Sequence, residues 1–544
     1  MVGAGFAGMY AVYHLRSLGF STQGIERGSG VGGTWYWNRY PGARCDIPSL
    51  EYSYSFSPEL QQEWDWTRRY PSQPEMLAYA NHAADRFDLR RHFLFDTTVT
   101  AAHFDEQRCR WVVHTSAGGR IDCGYLVMAT GCLSVPRIPV LPGLDDFGGQ
   151  VVHTATWPEE GLDVRGRRVG VIGTGASGIQ VIPVLAEQAE HLTVFQRTAS
   201  FSVSGANTAL RPEEILDVKE HYAQYRERSR RSFGGTMLRA NPKSALEVDD
   251  AEREAAFERA WADGGFAFLA SFRDITTDLE ANRLAAEFVR AKIRAMVDDP
   301  VTADLLTPTD HPIGTKRICI DSGYYTTFNR PNVRLIDVRR SPIQRVETAG
   351  IVTTDGSHPL DVLVLATGFD AMTGALLHVD IRGRRGLRLG DHWEDGPRAY
   401  LGIAISGFPN LFTVTGPGSP SVLSNMIAAG EQHVEWIGRC LVHMRDSGHR
   451  VIEAEPAAEA DWVDHVNDVA SATLYPLADS WYVGANVPGK PRVFMPYVGG
   501  VGAYRRRCDE VAESGYRGFS FDSTGVAVGP SRSLRLAKPT TGAK

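Results

Sequence analysis

No stretch of the 544-residue chain approaches the roughly 18 consecutive apolar residues of a membrane-spanning helix; the longest runs, such as 362–366, are strand-sized. Neither charge sign dominates: 57 Lys and Arg stand against 64 Asp and Glu, a net charge of −7, with a pI near 6.2. That mildly acidic balance excludes nucleic acid and anionic membrane as main partners. Cysteine is scarce. The seven, Cys45, Cys109, Cys123, Cys132, Cys319, Cys440 and Cys508, form no C-x-x-C pair and no histidine cluster accompanies them. Such spacing excludes a zinc site and a dithiol relay, and an odd, scattered set reads as reduced thiols, mostly buried. The N-terminus shows no charged, apolar, then small-residue leader, so a cytoplasmic protein without a membrane span is expected.

What is present is the composition of a large globular protein, 43% hydrophobic and 22% charged, long enough for three or four domain-sized units. Two strand–turn–helix openings carry G-x-G-x-x-G: Gly3, Gly5 and Gly8 in the first, and Gly173-Thr174-Gly175-Ala176-Ser177-Gly178 in the second. Glycines at these positions allow a tight turn and close approach of backbone to a pyrophosphate seated on a helix N-terminus. One such motif is a weak signal; two in the right context are a strong one. Each is followed by a later apolar strand ending in Ala-Thr-Gly, at 126–131 and 362–368. The expected fold is α/β, with two Rossmann-like dinucleotide-binding domains and a helical insertion. The expected boundaries are 1–134 with 370–521 for one nucleotide domain and 135–208 with 301–369 for the other. Residues 209–300, with apolar side chains at helical spacing, form the insertion, and 522–544 reads as a disordered tail.

The residue ending the second strand separates the two nucleotides. Glu26 lies about 20 residues past the first glycines, where a carboxylate accepts from a ribose hydroxyl pair. The equivalent place in the second unit reads Gln196-Arg197-Thr198, and an arginine there binds a 2′-phosphate that a carboxylate would repel. The first site therefore suits FAD and the second NADPH.

Between the units, Phe147-Gly148-Gly149-Gln150-Val151-Val152-His153-Thr154-Ala155-Thr156-Trp157-Pro158 fits F-x-G-x-x-x-H-x-x-x-W-P. Five fixed positions, rare Trp and His among them, recur by chance in on the order of one in 10⁴ to 10⁵ chains of this length. Together with Gly32-Gly33-Thr34-Trp35, Tyr40-Pro41-Gly42 and Asp46, this resembles the type I Baeyer–Villiger monooxygenases over almost the whole chain. The phenylacetone and steroid monooxygenase branch is the nearest likeness, in 324–329, 416–421 and 480–482.

The resemblance implies NADPH- and O₂-dependent oxidation of a hydrophobic ketone, cyclic, aryl or steroid-like, to an ester or lactone through an FAD C4a-peroxide. Arg317 matches the family's catalytic arginine, Asp46 its orienting anion, and Trp481 the aromatic of a mobile loop over the nicotinamide. At about 4 Å and an effective dielectric near 20, one fixed cation contributes roughly 4 kcal/mol, or about three pKa units, towards keeping a peroxide anionic. Lys316 joins Arg197 at the 2′-phosphate. Thr34, Trp35, Tyr36, Trp37, Tyr52, Val99 and Met426 are carried over as FAD contacts, and Gln180 and Thr198 as NADPH contacts. Gln73, Leu133, Ser421, Val422 and Leu423, with Met426, are carried over as pocket positions. His153 is expected to be structural, coupling the two units.

Two other readings share these motifs: a flavin N- or S-oxygenating monooxygenase, and a nucleotide-binding protein without turnover. Substitution at Arg317 or Asp46 would mark the last, and neither is substituted. Only Met1-Val2 precede Gly3, which predicts a shortened central strand and better FAD retention in a form extended upstream.

Overall fold

The computed structural model describes residues 1–522; the expected tail lies outside them, save Asp522. Two parallel sheets organise the chain. In the first, Gly24–Ile25 pairs with Phe93–Leu94, and Leu126–Met128 pairs with Leu411–Thr413. Val2 alone joins the two pairs, bridging to Ile25 on one side and Met128 on the other, so the central strand is one residue long. The helix Phe6–Ser17 follows it and packs on the long helix Met426–Asp446. A small antiparallel layer, Val99–Asp105, Arg110–Thr115 and Arg120–Cys123, receives Asp380–Arg382 in parallel at its edge.

The second sheet is wholly parallel, in the order Val333–Asp337, His191–Gln196, Arg168–Ile172, Val362–Leu365, Gln150–His153. Its central strands are continuous apolar runs because both faces are covered, Val362, Leu363 and Val364 being fully buried. After the glycine turn the helix Ala176–Gln188 crosses from the strand Arg168–Ile172 to its neighbour His191–Gln196.

Residues 209–300 are helical as expected, but their allegiance is divided. Asp250–Asp263 and Leu279–Met296 add Phe257, Phe288, Val289 and Ile293 to the core of the second sheet. Pro212–Arg231 lies instead against the first unit, where Arg226 donates to the Glu51 carbonyl at 2.8 Å and to Ser53 Oγ at 2.7 Å. All seven cysteines are free, and five of them are buried.

Candidate active site

Each glycine turn leaves a backbone cradle that side chains do not fill. Gly3 and Gly173 adopt φ of +103° and +110°, and a Cβ at either would meet a carbonyl oxygen at 2.4 Å. A Cβ at Gly8 would lie 1.9 Å from the Gly3 oxygen, and one at Gly178 2.2 Å from the Gly173 oxygen. Gly33, at φ +54°, brings its backbone onto Gly5, where a Cβ would come within 2.7 Å of Cα. Neither following helix has a side-chain cap, and a Cβ at Gly175 would meet nothing within 4 Å. Open space over uncapped N–H groups is where an anion seats. The residues present therefore fit a dinucleotide pyrophosphate at both turns.

Glu26 is buried beside the first turn, accepting from Ala4 N at 2.7 Å through Oε2 and from Gly28 N at 2.8 Å through Oε1. Lone pairs remain on both oxygens for ribose hydroxyls. Of the other FAD expectations, Trp35 and Tyr52 meet edge to face at 6.3 Å, and Tyr52 and Phe6 at 6.5 Å. Tyr36 and Trp37 lie under Arg39 and Arg27, each at 4.4 Å, beside exposed Thr34. The Val99 side chain is absorbed in the core with Val2, Ile25 and Met128.

At the second turn Thr174 Oγ1 donates to the Thr198 carbonyl at 2.9 Å. Arg197 is exposed at the strand end, and Arg339, unanticipated from sequence, donates to Thr198 Oγ1 at 2.9 Å and pairs with Asp310. Burial lowers the Lys316 ammonium below its ordinary value; nearby Arg197 and Arg339 act in the same direction and Asp310 opposes them. Arg137 also feels the Arg197 charge. These cations gather at one corner beside the second turn. Gln180, expected at the nucleotide, has its amide committed to the first unit: Oε1 accepts from Tyr40 Oη at 2.8 Å, and Nε2 donates to the Arg44 carbonyl at 3.0 Å.

Arg317 lies just before the strand Cys319–Asp321 and reaches across to Asp46, with Nε–Oδ2 at 2.9 Å and Nη2–Oδ1 at 2.8 Å. Its third nitrogen, Nη1, donates to the Val422 carbonyl at 2.6 Å, and the Phe266 ring lies 5.1 Å from its Cζ. Burial would weaken the charge; Asp46 more than offsets it and, with Tyr482, holds the guanidinium above its ordinary pKa. Such a group stays protonated at any working pH. The side chains of Arg317 and Asp46 are 23% and 24% exposed, so the pair is open on one side.

Beside it lies an apolar cluster of Cys132, Ala371, Met372, Val422, Tyr482 and Phe494, with Leu133, Leu423, Met426 and Trp481 against it. Four expected pocket residues, Leu133, Val422, Leu423 and Met426, thus come together with Trp481. Ser421 is fully buried with its hydroxyl on Cys132, so as a pocket residue it offers no polar group. Gln73 is buried and donates to the Trp35 carbonyl at 2.5 Å. Segment 480–495 is tied down by Asn486 to the Phe369 carbonyl at 2.7 Å and by Lys490 to Asp370 at 2.7 Å.

His153 Nδ1 accepts from Ala155 N at 3.0 Å, so Nε2–H faces Thr367 Oγ1 at 3.2 Å, whose hydroxyl donates to the Arg137 carbonyl at 2.5 Å. Burial lowers its pKa. Fully satisfied and neutral, it ties the strand Gln150–His153 to the segment after Val362–Leu365. Phe266, Tyr482, Arg137 and Arg339 are the site residues that sequence reasoning missed.

A family profile described as pyridine nucleotide-disulphide oxidoreductase matches residues 1–240. Acetone monooxygenase (methyl acetate-forming) of Gordonia sp. (strain TY-5) is 43% identical, with 96% of this chain and 98% of that protein covered. A Baeyer–Villiger monooxygenase of Pseudooceanicola batsensis is 41% identical with 97% of each covered, and phenazine N-monooxygenase PhzNO1 of Lysobacter antibioticus is 42% identical with 96% of each covered. Among solved structures, oxidized steroid monooxygenase bound to NADP superposes at a TM-score of 0.92, with 53% identity and coverage of 96% and 98%. The complex of OTEMO with FAD and NADP gives 0.93, with 41% identity and the same coverage.

Proposed function

The chain belongs to the Baeyer–Villiger monooxygenases, enzymes that use FAD and NADPH, and we propose that its substrate is a hydrophobic ketone oxidised to an ester or lactone at Arg317. FAD and NADPH, when bound, supply hydride transfer and the activation of O₂. Residues of the chain do the rest. The glycine turns at 3–8 and 173–178 seat the two pyrophosphates, Glu26 holds a ribose, and Arg197, Lys316 and Arg339 hold the 2′-phosphate. Arg317, oriented by Asp46 and the Val422 carbonyl, keeps a permanent positive charge where negative charge develops during oxygen transfer. Leu133, Val422, Leu423 and Met426 receive the apolar body of the ketone, and Trp481 excludes water from it. Seven free thiols suit a cytoplasmic setting.

The observation that carries this is the bidentate Arg317–Asp46 pair beside an apolar cluster. Likeness to an N-monooxygenase leaves nitrogen oxygenation as the second reading, for which a fixed cation at an apolar wall has no evident use. The test is anaerobic reduction with NADPH followed by aeration with cyclohexanone, amines or sulfides. Ester from the ketone is expected. Products from amines or sulfides alone would support the second reading, and Arg317→Ala is expected to be reduced normally yet form no ester.

A further inference from the structure

We propose that Ser421, locked by Cys132, is a positioning residue that aims Arg317. Asp46 grips Nε and Nη2, Tyr482 and Phe266 flank the group, and the Val422 carbonyl takes the remaining nitrogen, Nη1, from the far side. The course of the chain at Val422 depends on Ser421, which is fully buried at φ +42°, a left-handed conformation that a serine adopts only when its surroundings enforce it.

Those surroundings centre on one thiol. Ser421 Oγ lies 2.9 Å from Cys132 Sγ, and the thiol hydrogen has its own acceptor in the Thr415 carbonyl at 3.2 Å. With that hydrogen on the Thr415 carbonyl, the sulfur is free to accept from the serine hydroxyl, whose other acceptor is the more distant Met372 Sδ at 4.0 Å. Thr415 is itself left-handed at φ +56°, as is Met372 at φ +66°, whose N–H donates to the Cys132 carbonyl at 2.8 Å. Three of the eleven non-glycine residues with positive φ among the described residues thus converge on Cys132. Strain gathered around one side chain, next to the carbonyl bonded to Arg317, is the mark of a built orientation and not of ordinary packing.

This rests on the role of Arg317 proposed above, and the experiment separates the two. FAD-loaded parent, Arg317→Ala, Cys132→Ala and Cys132→Ser are compared on cyclohexanone, with kcat and KM for ester formation and the rate of flavin reduction by NADPH measured for each. Cys132→Ala is expected to lower kcat about tenfold, with KM within about twofold and reduction unchanged. Cys132→Ser, whose hydroxyl again accepts from Ser421, is expected to stay within about twofold of the parent. Parent-like kcat in Cys132→Ala, a change in KM alone, or a serine variant as poor as the alanine one overturns the proposal. Should Cys132→Ala fail to hold FAD, Ser421→Gly decides, since it keeps the left-handed backbone without the hydroxyl; the same loss of kcat supports the proposal and parent kcat overturns it. Ester formation by Arg317→Ala sinks the functional reading, whereas an inactive Arg317→Ala beside a fully active Cys132→Ala sinks the positioning alone.

Discussion

Lowering the pH should unfasten the loop that carries Val422, through His433. This histidine is completely buried in the helix Met426–Asp446. Its Nδ1 accepts from Thr415 N at 2.9 Å. Tyr504 spends its hydroxyl hydrogen on the Leu401 carbonyl at 2.5 Å, so His433 Nε2–H must donate to Tyr504 Oη at 2.8 Å. A proton added at Nδ1 would point into the Thr415 N–H. Burial accordingly pushes the pKa down to about 3 from 6.5. The unfolded chain takes up that proton as pH falls below 6.5, and the folded chain refuses it until about 3, so the stability it confers is present above pH 6.5 and lost on acidification. At 1.36 kcal/mol per unit the whole effect is about 5 kcal/mol, a slope near 1.4 kcal/mol per pH unit. Urea unfolding of parent and His433→Asn at pH 7.5, 6, 5 and 4.5 measures it. The asparagine variant should be less stable at pH 7.5 yet show the flatter profile by about that slope. Parallel profiles would refute the assignment of a neutral, trapped imidazole.

Two further outcomes are expected. Asp46→Asn replaces the carboxylate fork by one neutral acceptor at position 46, and a charged hydrogen bond of about 1.5–3 kcal/mol corresponds to roughly a 10- to 100-fold fall in ester-forming kcat. Product quantified at saturating NADPH checks this, and parent-level turnover would contradict the orienting role. Arg197→Glu places a carboxylate at the cationic corner, so KM for NADPH should rise by about 100-fold while that for NADH changes little. An unchanged ratio of the two would remove Arg197 from the 2′-phosphate site.

Periodic and local features were legible before any coordinates. The strands around the second glycine turn run Arg168–Ile172 and His191–Gln196, within a residue of the apolar stretches 169–172 and 192–195 that the sequence shows, because buried parallel strands are continuous runs. The pairing of Arg317 with Asp46 spans 271 residues and was legible only through family likeness, since no spacing encodes it. The Val422 carbonyl was beyond reach because any residue supplies one. Phe266 looked like one more apolar side chain at helical spacing, and nothing in that pattern says its ring faces a guanidinium. Helix Pro212–Arg231 buries only Tyr222 and Ser229, so its attachment to the first unit runs through polar side chains, Arg226 above all, that carry no periodic signal.

Arg317 grows from the segment leading into one sheet system, yet both groups that hold it, Asp46 and the Val422 carbonyl, come from the other. The reactive charge is consequently a property of the seam and not of either half.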